Sequence, residues 1–142
     1  MTIVPLVRRV GRVTAWQGVD GVLLQLRADG LPAGTHGLHL HAVGDCSDPG
    51  EFTASGGHVD PAGRAHGFLH PGPAHAGDLP NLYVHTDGVA RADIHSTRIS
   101  VGVLEDHDGA ALIVHAAPDD YQSQPIGGAG SRIACAAFAS KR

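Results

Sequence analysis

The sequence predicts an all-β fold, and its composition supports this in two ways. Only one lysine and two glutamates occur among the 142 residues, so residues that favour the exposed side of a helix are scarce. Glycine and proline, with 20 and 9 residues, instead favour frequent turns. The hydrophobic fraction of 42% is sufficient for a folded core, and the length fits one domain, which we take as residues 1–142.

Short apolar-rich runs separated by turn signals predict seven or eight strands. The runs are Val10–Trp16, Val22–Ala28, Gly37–His41, Leu82–His85, Val89–Ile94, Ile99–Val103, Ala111–His115 and Arg132–Phe138. Asp-Gly pairs favour tight turns, and the pair at 87–88 predicts a hairpin between the two runs beside it. Many short strands of this kind are typical of a β-sandwich or barrel.

Two long segments, 44–81 and 116–130, have no regular hydrophobic pattern. Loops of this length in a compact domain are usually functional. The first segment contains four of the eleven histidines, so a metal ion or a disulfide could organise it.

Three histidines associated with predicted strands are candidate metal ligands. His39 and His41 occupy positions i and i+2 of a strand, so their side chains point to the same face and could bind one copper or zinc ion. An isolated pair of this kind is more often a pair of exposed strand histidines. His115 follows an apolar strand, where functional residues are often placed, although a single histidine there is more often structural.

Five further candidates lie in the first irregular segment. They are His58, His66, His70, His75 and Asp78. Three histidines and a carboxylate form a reasonable tetrahedral zinc site. The spacing does not decide which four would bind, and the alternative is a polar loop that contains histidines by chance.

Other features limit the classes of function and location. Cys46 and Cys135 allow either one disulfide, which would imply an oxidising compartment, or two free thiols. A net charge of −4 and an aromatic content of 4% argue against nucleic-acid binding. No apolar run approaches the roughly 20 residues that span a bilayer. The run Ile3–Val7 is too short for the core of a signal peptide, so we expect a cytosolic protein or a chain given without its leader.

Five motifs together resemble the copper/zinc superoxide dismutases, in particular their bacterial members. In order along the chain, they are His36–His41, Gly57–Pro61, His75–Asn81, Asp119–Pro125 and Gly130–Cys135. The resemblance extends from Gly11 to Phe138. It implies a Greek-key β-barrel or sandwich of about eight antiparallel strands with two long functional loops.

The resemblance also implies a site for two metal ions. Copper would be bound by His39, His41, His58 and His115. Zinc would be bound by His58, His66, His75 and Asp78. In this arrangement His58 would bridge the two ions.

Four other residues would support this site. Asp119 would link a copper ligand to a zinc ligand, Arg132 would attract the anionic substrate beside copper, and Cys46 would pair with Cys135. In the family's mechanism the bridging histidine leaves copper and takes up a proton in the reduced state. His58 and Arg132 are therefore the expected catalytic residues.

The implied activity is dismutation of superoxide to dioxygen and hydrogen peroxide, with one copper and one zinc per chain. The alternative is a non-catalytic copper/zinc-binding or copper-delivery domain of the same fold. Members of that kind have lost copper ligands or the arginine, and this chain retains all of them. A homodimer is possible. The disulfide and the family imply a periplasmic or extracellular location, and a cytoplasmic one stays open.

Some positions depart from the family's pattern. Asp60 stands where asparagine is common, Ile126 where threonine or serine is common near the substrate channel, and Ala136–Ala137 where Gly-Val is usual. None of these departures removes an expected ligand.

Five histidines are not among the ligands that the resemblance implies. His36 matches a structural histidine beside the site. His70 lies between two expected zinc ligands and would be an auxiliary ligand or a solvated loop residue. We expect His85, His95 and His107 to face solvent.

Overall fold

In the part of the chain that the structure describes, nine strands form nearly all of the regular structure, and every strand pairs with its neighbours in antiparallel orientation. The computed structural model describes residues 2–5, 10–48 and 50–138. The strands are β1 (Thr2–Pro5), β2 (Gly11–Gln17), β3 (Val22–Ala28), β4 (Gly34–His36), β5 (Leu38–His41), β6 (Leu82–Val84), β7 (Ala90–Ser96), β8 (Ala110–His115) and β9 (Arg132–Phe138). The prediction of an all-β antiparallel fold is confirmed. Within these described ranges, no helix is long and apolar enough to cross a membrane. Residues 6 and 7 of the N-terminal apolar run lie outside them.

Seven strands form one continuous ladder in the order β5-β8-β9-β1-β2-β3-β7, and β4 pairs with β6. Several neighbours, such as β3 with β7 and β5 with β8, are far apart in sequence. Such pairs require connections that cross between distant parts of the sandwich, as in Greek-key folds.

Alternation along the strands places the core on one face of the sheet. In β3, Val22, Leu24 and Leu26 are buried, whereas Gln25 and Arg27 are exposed. The buried residues join one apolar cluster to which β2, β5, β7, β8 and β9 also contribute. The hydrophobic effect favours burial of this cluster, so each strand needs an apolar side chain at every second position. For this reason the alternating pattern predicts these strands correctly.

Strands β5 and β8 are buried on both faces. Leu38, Leu40, Leu112 and Val114 face the main core. Their neighbours in sequence, including His39, His41 and Ile113, point to the opposite face and are also completely buried. The two irregular segments cover that face, and the buried histidines lie beneath them.

Two predictions about the strands are wrong. The run Ile99–Val103 is not a strand: Ser100 accepts a hydrogen bond from the Val103 backbone and begins a short helix, α1 (Val101–Leu104). This N-cap interaction outweighs the alternating pattern. The predicted hairpin at 82–94 has its turn, in which Gly88 N donates to His85 O. Its two strands, however, pair elsewhere, β6 with β4 and β7 with β3.

The two irregular segments are fastened to each other by polar side chains. Asn81 donates to the Asp119 carbonyl and accepts from the Asp119 amide, both at 2.9 Å. Gln124 accepts from the His66 amide at 2.7 Å and donates to the His66 carbonyl at 2.8 Å. These side chains supply partners for backbone groups that no strand satisfies.

Gly127 allows the second segment to approach the first very closely. Its φ is +69°, a conformation that favours glycine. A Cβ at this position would overlap the Asp119 carboxylate and lie 2.8 Å from His66 Nε2. The neighbouring Gly128 has a similar φ of +67°, but a Cβ there would meet open space.

A disulfide joins the first segment to the last strand. Cys46 and Cys135 are bonded and are 89 residues apart. Cys135 is fully buried with Phe52, Ala111 and Ile113 in a small second core. The bridge therefore anchors the start of the first segment against the outer face of β8 and β9.

Replacing Gly127 with alanine should destabilise the protein more than replacing Gly128. Both variants incur the cost of a left-handed alanine, about 1–2 kcal/mol. Only Gly127→Ala also overlaps Asp119, which should add about 1–3 kcal/mol. Urea unfolding of the two variants measures the difference directly. Equal losses would contradict the close approach.

Reduction of the disulfide should lower the free energy of unfolding by about 2–5 kcal/mol, because a long loop in the unfolded chain is no longer closed. Chemical denaturation with and without reductant measures this loss. A Cys46→Ala/Cys135→Ala variant controls for effects of the reductant on the rest of the protein. Detection of two free thiols in the air-oxidised protein would disprove the bridge.

Candidate metal centre

Three buried imidazoles come from two adjacent strands. His39 and His41 lie on the outer face of β5, as their spacing predicts, and His115 ends β8. The β8–β9 register shifts between Val114 and His115, which places His115 opposite Arg132. Such irregularities redirect side chains near functional sites.

His58, from the first irregular segment, completes this group. Its backbone pairs with that of His41 in an isolated bridge. Its ring centroid lies 4.2 Å from that of His39 and 4.9 Å from that of His41. We call His39, His41, His58 and His115 the histidine cluster. Each offers one ring nitrogen, and these four atoms lie within 4.8 Å of one another.

Each ring of the histidine cluster has one buried nitrogen without a hydrogen-bond partner. Among the described residues, the buried side-chain atoms without a partner are His39 Nδ1, His41 Nε2, His58 Nε2 and His115 Nε2. Leaving a buried polar atom unsatisfied costs about 1–3 kcal/mol. Four such atoms in one place indicate a site built for a ligand that accepts electron pairs.

The opposite nitrogens of three rings fix which nitrogen is protonated. His39 Nε2 donates to Asp119 Oδ2 at 2.8 Å, His41 Nδ1 to the Gly56 carbonyl at 2.7 Å, and His115 Nδ1 to the Gly130 carbonyl at 2.9 Å. Because these oxygens only accept, the unsatisfied nitrogen of each neutral ring carries a lone pair. Such outer hydrogen bonds orient metal-binding histidines.

Burial also favours the neutral form of His115 and His58. Burial lowers the pKa of His115 to about 3, and the nearby positive charge of Arg132 contributes to the lowering. Burial likewise lowers the pKa of His58 to about 4, against the opposing hydrogen bond with Asp78. At neutral pH both rings can therefore act as neutral metal ligands.

A second group surrounds one oxygen of Asp78. Asp78 Oδ1 lies 2.7 Å from His66 Nδ1, 3.2 Å from His58 Nδ1 and 3.6 Å from His75 Nδ1. The carboxylate is held by backbone amides, since Asp78 Oδ2 accepts from Gly67 and His75. We call His58, His66, His75 and Asp78 the mixed cluster.

His39 is close enough to belong to both groups, because one of its ring nitrogens also lies within 4.8 Å of possible ligand atoms of His58, His66 and Asp78. Its Nε2 is used by Asp119, however, and its Nδ1 belongs to the histidine cluster. The donor atoms therefore favour His75 over His39 as the fourth member of the mixed cluster.

Asp119 joins the two clusters. Its two oxygens accept from His39 Nε2 at 2.8 Å and from His66 Nε2 at 2.9 Å. Burial opposes a charged His66, but its hydrogen bonds with Asp119 and Asp78 raise its pKa to about 9. Although burial opposes ionisation of Asp119, the same histidine contacts hold its pKa well below the usual range.

Arg132 is held at the edge of the histidine cluster. Its Nη1 donates to the Phe52 carbonyl and to Ser55 Oγ, each at 2.9 Å. Phe52 packs in the second core with the disulfide, so this core positions the acceptors of Arg132. Burial lowers the pKa of Arg132, and the charge of Asp48 opposes that shift.

The remaining histidines lie outside both clusters. Both ring nitrogens of His36 contact backbone carbonyls, those of His115 and Pro32. His70 Nδ1 accepts from the Gly72 amide. The three histidines predicted to face solvent are exposed; they are His85, His95 and His107.

The sequence does not reveal the backbone carbonyls of Gly56 and Gly130 as hydrogen-bond partners, since no side-chain type indicates a carbonyl acceptor. It also leaves the role of Asp60 open. Asp60 Oδ1 accepts from the Arg64 amide at 2.8 Å, while Oδ2 lies 3.6 Å from His75 Nε2. Asp60 thus faces the outer side of a mixed-cluster histidine.

Comparisons with known proteins agree with this geometry. Residues 10–138 match the family described as copper/zinc superoxide dismutase (SODC). The chain is 45% identical to a superoxide dismutase [Cu-Zn] of Caulobacter vibrioides over 132 residues, which cover 88% of this chain and 75% of that one. It is 35% identical over 146 residues to the superoxide dismutase-like protein YojM of Bacillus subtilis, covering 95% and 74% of the two chains.

Solved structures give the same assignment. A SOD-like protein from Bacillus subtilis has a TM-score of 0.89 at 31% identity, covering 96% of this chain and 95% of that one. The Cu/Zn superoxide dismutase from Brucella abortus has a TM-score of 0.81 at 27% identity, covering 96% of each chain. Because the family match covers both irregular segments and all the core strands, the chain belongs to the copper/zinc superoxide dismutase family.

Proposed function

We propose that the protein dismutates superoxide, with copper in the histidine cluster and zinc in the mixed cluster. The position of His58 is the main support for this function. Its Nε2 is one of the four unsatisfied nitrogens of the histidine cluster, and its Nδ1 lies 3.2 Å from Asp78 Oδ1 in the mixed cluster. One imidazole thus presents its two nitrogens to two different sites.

The donor atoms fit these metals. Four imidazole nitrogens suit copper, and three imidazoles with one carboxylate suit a closed structural zinc site. The unsatisfied, lone-pair-bearing nitrogens of the histidine cluster support this fit independently of the family resemblance. The carboxylate of Asp78, whose pKa the His58 and His66 contacts lower despite burial, is ready to bind a cation.

When bound, copper would accept an electron from one superoxide, releasing dioxygen, and give it to a second, which with two protons becomes hydrogen peroxide. The side chains supply attraction, orientation and protons. Arg132, beside His115, would attract the anion in a chain whose net charge of −4 otherwise repels it. His58 would take up and release a proton at Nε2. Asp119 would keep His39 and His66 in fixed orientations.

The alternative is a non-catalytic metal-binding or copper-delivery protein, since relatives named only dismutase-like share this fold. The complete histidine cluster and Arg132 favour the enzyme. The disulfide fits a periplasmic or extracellular location, where such bonds persist.

Replacing His115 with alanine should abolish dismutation while the β-sandwich stays folded. Loss of one of four copper ligands should lower activity by more than about 100-fold, since even outer-shell changes cost 10–100-fold. The assay is superoxide decay after loading with copper and zinc, with circular dichroism to verify folding. His107→Ala, at an exposed position, is the control. Full activity of His115→Ala would refute the assignment.

Arg132→Ala should slow dismutation by about tenfold or more and weaken its dependence on ionic strength, because the variant loses local attraction for the anion. Rates measured across a salt series test this. Arg64→Ala removes an exposed charge in the first irregular segment and should leave both properties nearly unchanged. If Arg132→Ala keeps the wild-type rate and salt profile, Arg132 does not guide the substrate.

Asp60→Asn should weaken zinc binding by about tenfold, because an amide still accepts from Arg64 but no longer offers a carboxylate to His75 Nε2. Competition with a chelator measures the zinc affinity. Asp87→Asn is the matched control, since Asp87 makes the same kind of turn hydrogen bond, to the Val89 amide, on the exposed surface. If the zinc affinity is unchanged, the only role of Asp60 is its turn hydrogen bond with the Arg64 amide.

A further inference from the structure

Three arginines form a row across the outer face of three adjacent strands. The β2–β3 register pairs Arg12 with Arg27, and the β3–β7 register pairs Arg27 with Arg91. Paired residues of antiparallel strands point to the same side of the sheet, and all three side chains are exposed. In the part of the chain that the structure describes, none of these guanidinium groups has a hydrogen bond or ion pair.

This row is unfavourable for the isolated protein. Side chains directly opposite on neighbouring strands have Cβ atoms about 4.5–5.5 Å apart, and like charges at that distance are destabilising. The row collects three of the ten lysine and arginine residues of a chain with a net charge of −4. Two carboxylates, Asp29 and Asp93, line the same depressions as the arginines, but within the described residues neither forms an ion pair with them. An anionic partner would relieve the repulsion.

The shape of the face indicates the kind of anion. Two open depressions of about 550 and 650 Å³ run along the row. A small anion in an open depression stays in contact with water, where a single ion pair contributes little. Guanidinium groups bind phosphates well through two parallel hydrogen bonds. The face therefore suits a surface that presents many phosphates at once.

The other end of the same face carries two exposed apolar side chains, beside the exposed polar pair His95 and Asp20. Trp16 lies four residues beyond Arg12 on β2, pairs with Leu23, and is 56% exposed. That separation corresponds to about 13 Å along a strand. The β2–β3 turn that follows carries Val19, which is fully exposed. Tryptophan is enriched at the boundary between lipid headgroups and acyl chains, so this end complements a phospholipid surface better than it complements a nucleic acid.

We propose that this face, consisting of the arginine row with Trp16 and Val19, binds the surface of an anionic phospholipid membrane. The guanidinium groups contact lipid phosphates, and the indole lies at the level of the headgroups. Binding is peripheral, reversible and sensitive to salt, because only three charges hold it against the negative charge of the whole chain. The inference is independent of the metal centre.

Co-sedimentation with phosphatidylcholine vesicles, with and without phosphatidylglycerol, tests the proposal with the full chain. We expect binding to the anionic vesicles at low ionic strength, none to the neutral vesicles, and release at high salt. Arg27→Gln, at the centre of the row, should weaken binding about fivefold. The triple Arg12→Gln/Arg27→Gln/Arg91→Gln variant should abolish it. Arg64→Gln also removes one exposed charge and should bind nearly as the wild type does.

Trp16 is the only tryptophan of the chain, so its fluorescence reports on this face alone. Anionic vesicles should shift its emission to the blue and protect it from acrylamide quenching. Sedimentation without a change in Trp16 fluorescence would place the contact on another face and overturn the proposal. Absence of binding, equal loss in Arg27→Gln and Arg64→Gln, or stronger binding to duplex DNA at the same phosphate concentration would also overturn it.

Discussion

Four buried imidazole nitrogens point towards one another without hydrogen-bond partners. Much of the architecture keeps these nitrogens buried and close together. Their isolation costs about 1–3 kcal/mol each in the absence of a ligand. The strands tolerate this cost because the main core lies on the opposite face of β5 and β8, where Leu40 and Leu112 are buried. The histidine cluster is thus an addition to the outer face of a sheet whose inner face already holds the fold together.

The two irregular segments cover that outer face, and only part of their support is apolar, from side chains such as Phe52, Val59 and Leu79. The segments are also held by particular contacts: the disulfide at Cys46, the amide of Asn81, and the close approach that Gly127 permits. Asp119 links these segments to both clusters, because its carboxylate orients one histidine of each cluster. The stability of the segments and the geometry of the two clusters are therefore linked.

Much of the fold could be predicted from sequence because period-2 alternation follows directly from burial of one sheet face. The strands Val22–Ala28 and Arg132–Phe138 have the predicted bounds. The pattern fails at Ile99–Val103, where a local cap at Ser100 decides the structure, and at 82–94, where a turn does not determine which strands pair. Strand pairing depends on distant contacts that a local pattern does not contain.

The residues of the candidate site could be predicted from the sequence, but the roles of their individual ring nitrogens could not. The i, i+2 spacing places His39 and His41 on one face, and the resemblance groups the other ligands. The spacing cannot assign individual ring nitrogens, since that depends on acceptors such as the Gly56 carbonyl. The same holds for His58, whose two nitrogens face separate clusters only after the first segment docks on β5.

In the proposed function, His58 joins two different metal sites in one active centre. The most direct test is to titrate the metal-free protein with copper and zinc, count each metal per chain, and assay superoxide dismutation of the product. The proposed function predicts one copper and one zinc per chain with high activity, and loss of activity when copper alone is removed. A single shared ion per chain, or a fully loaded protein that does not accelerate dismutation, would contradict it.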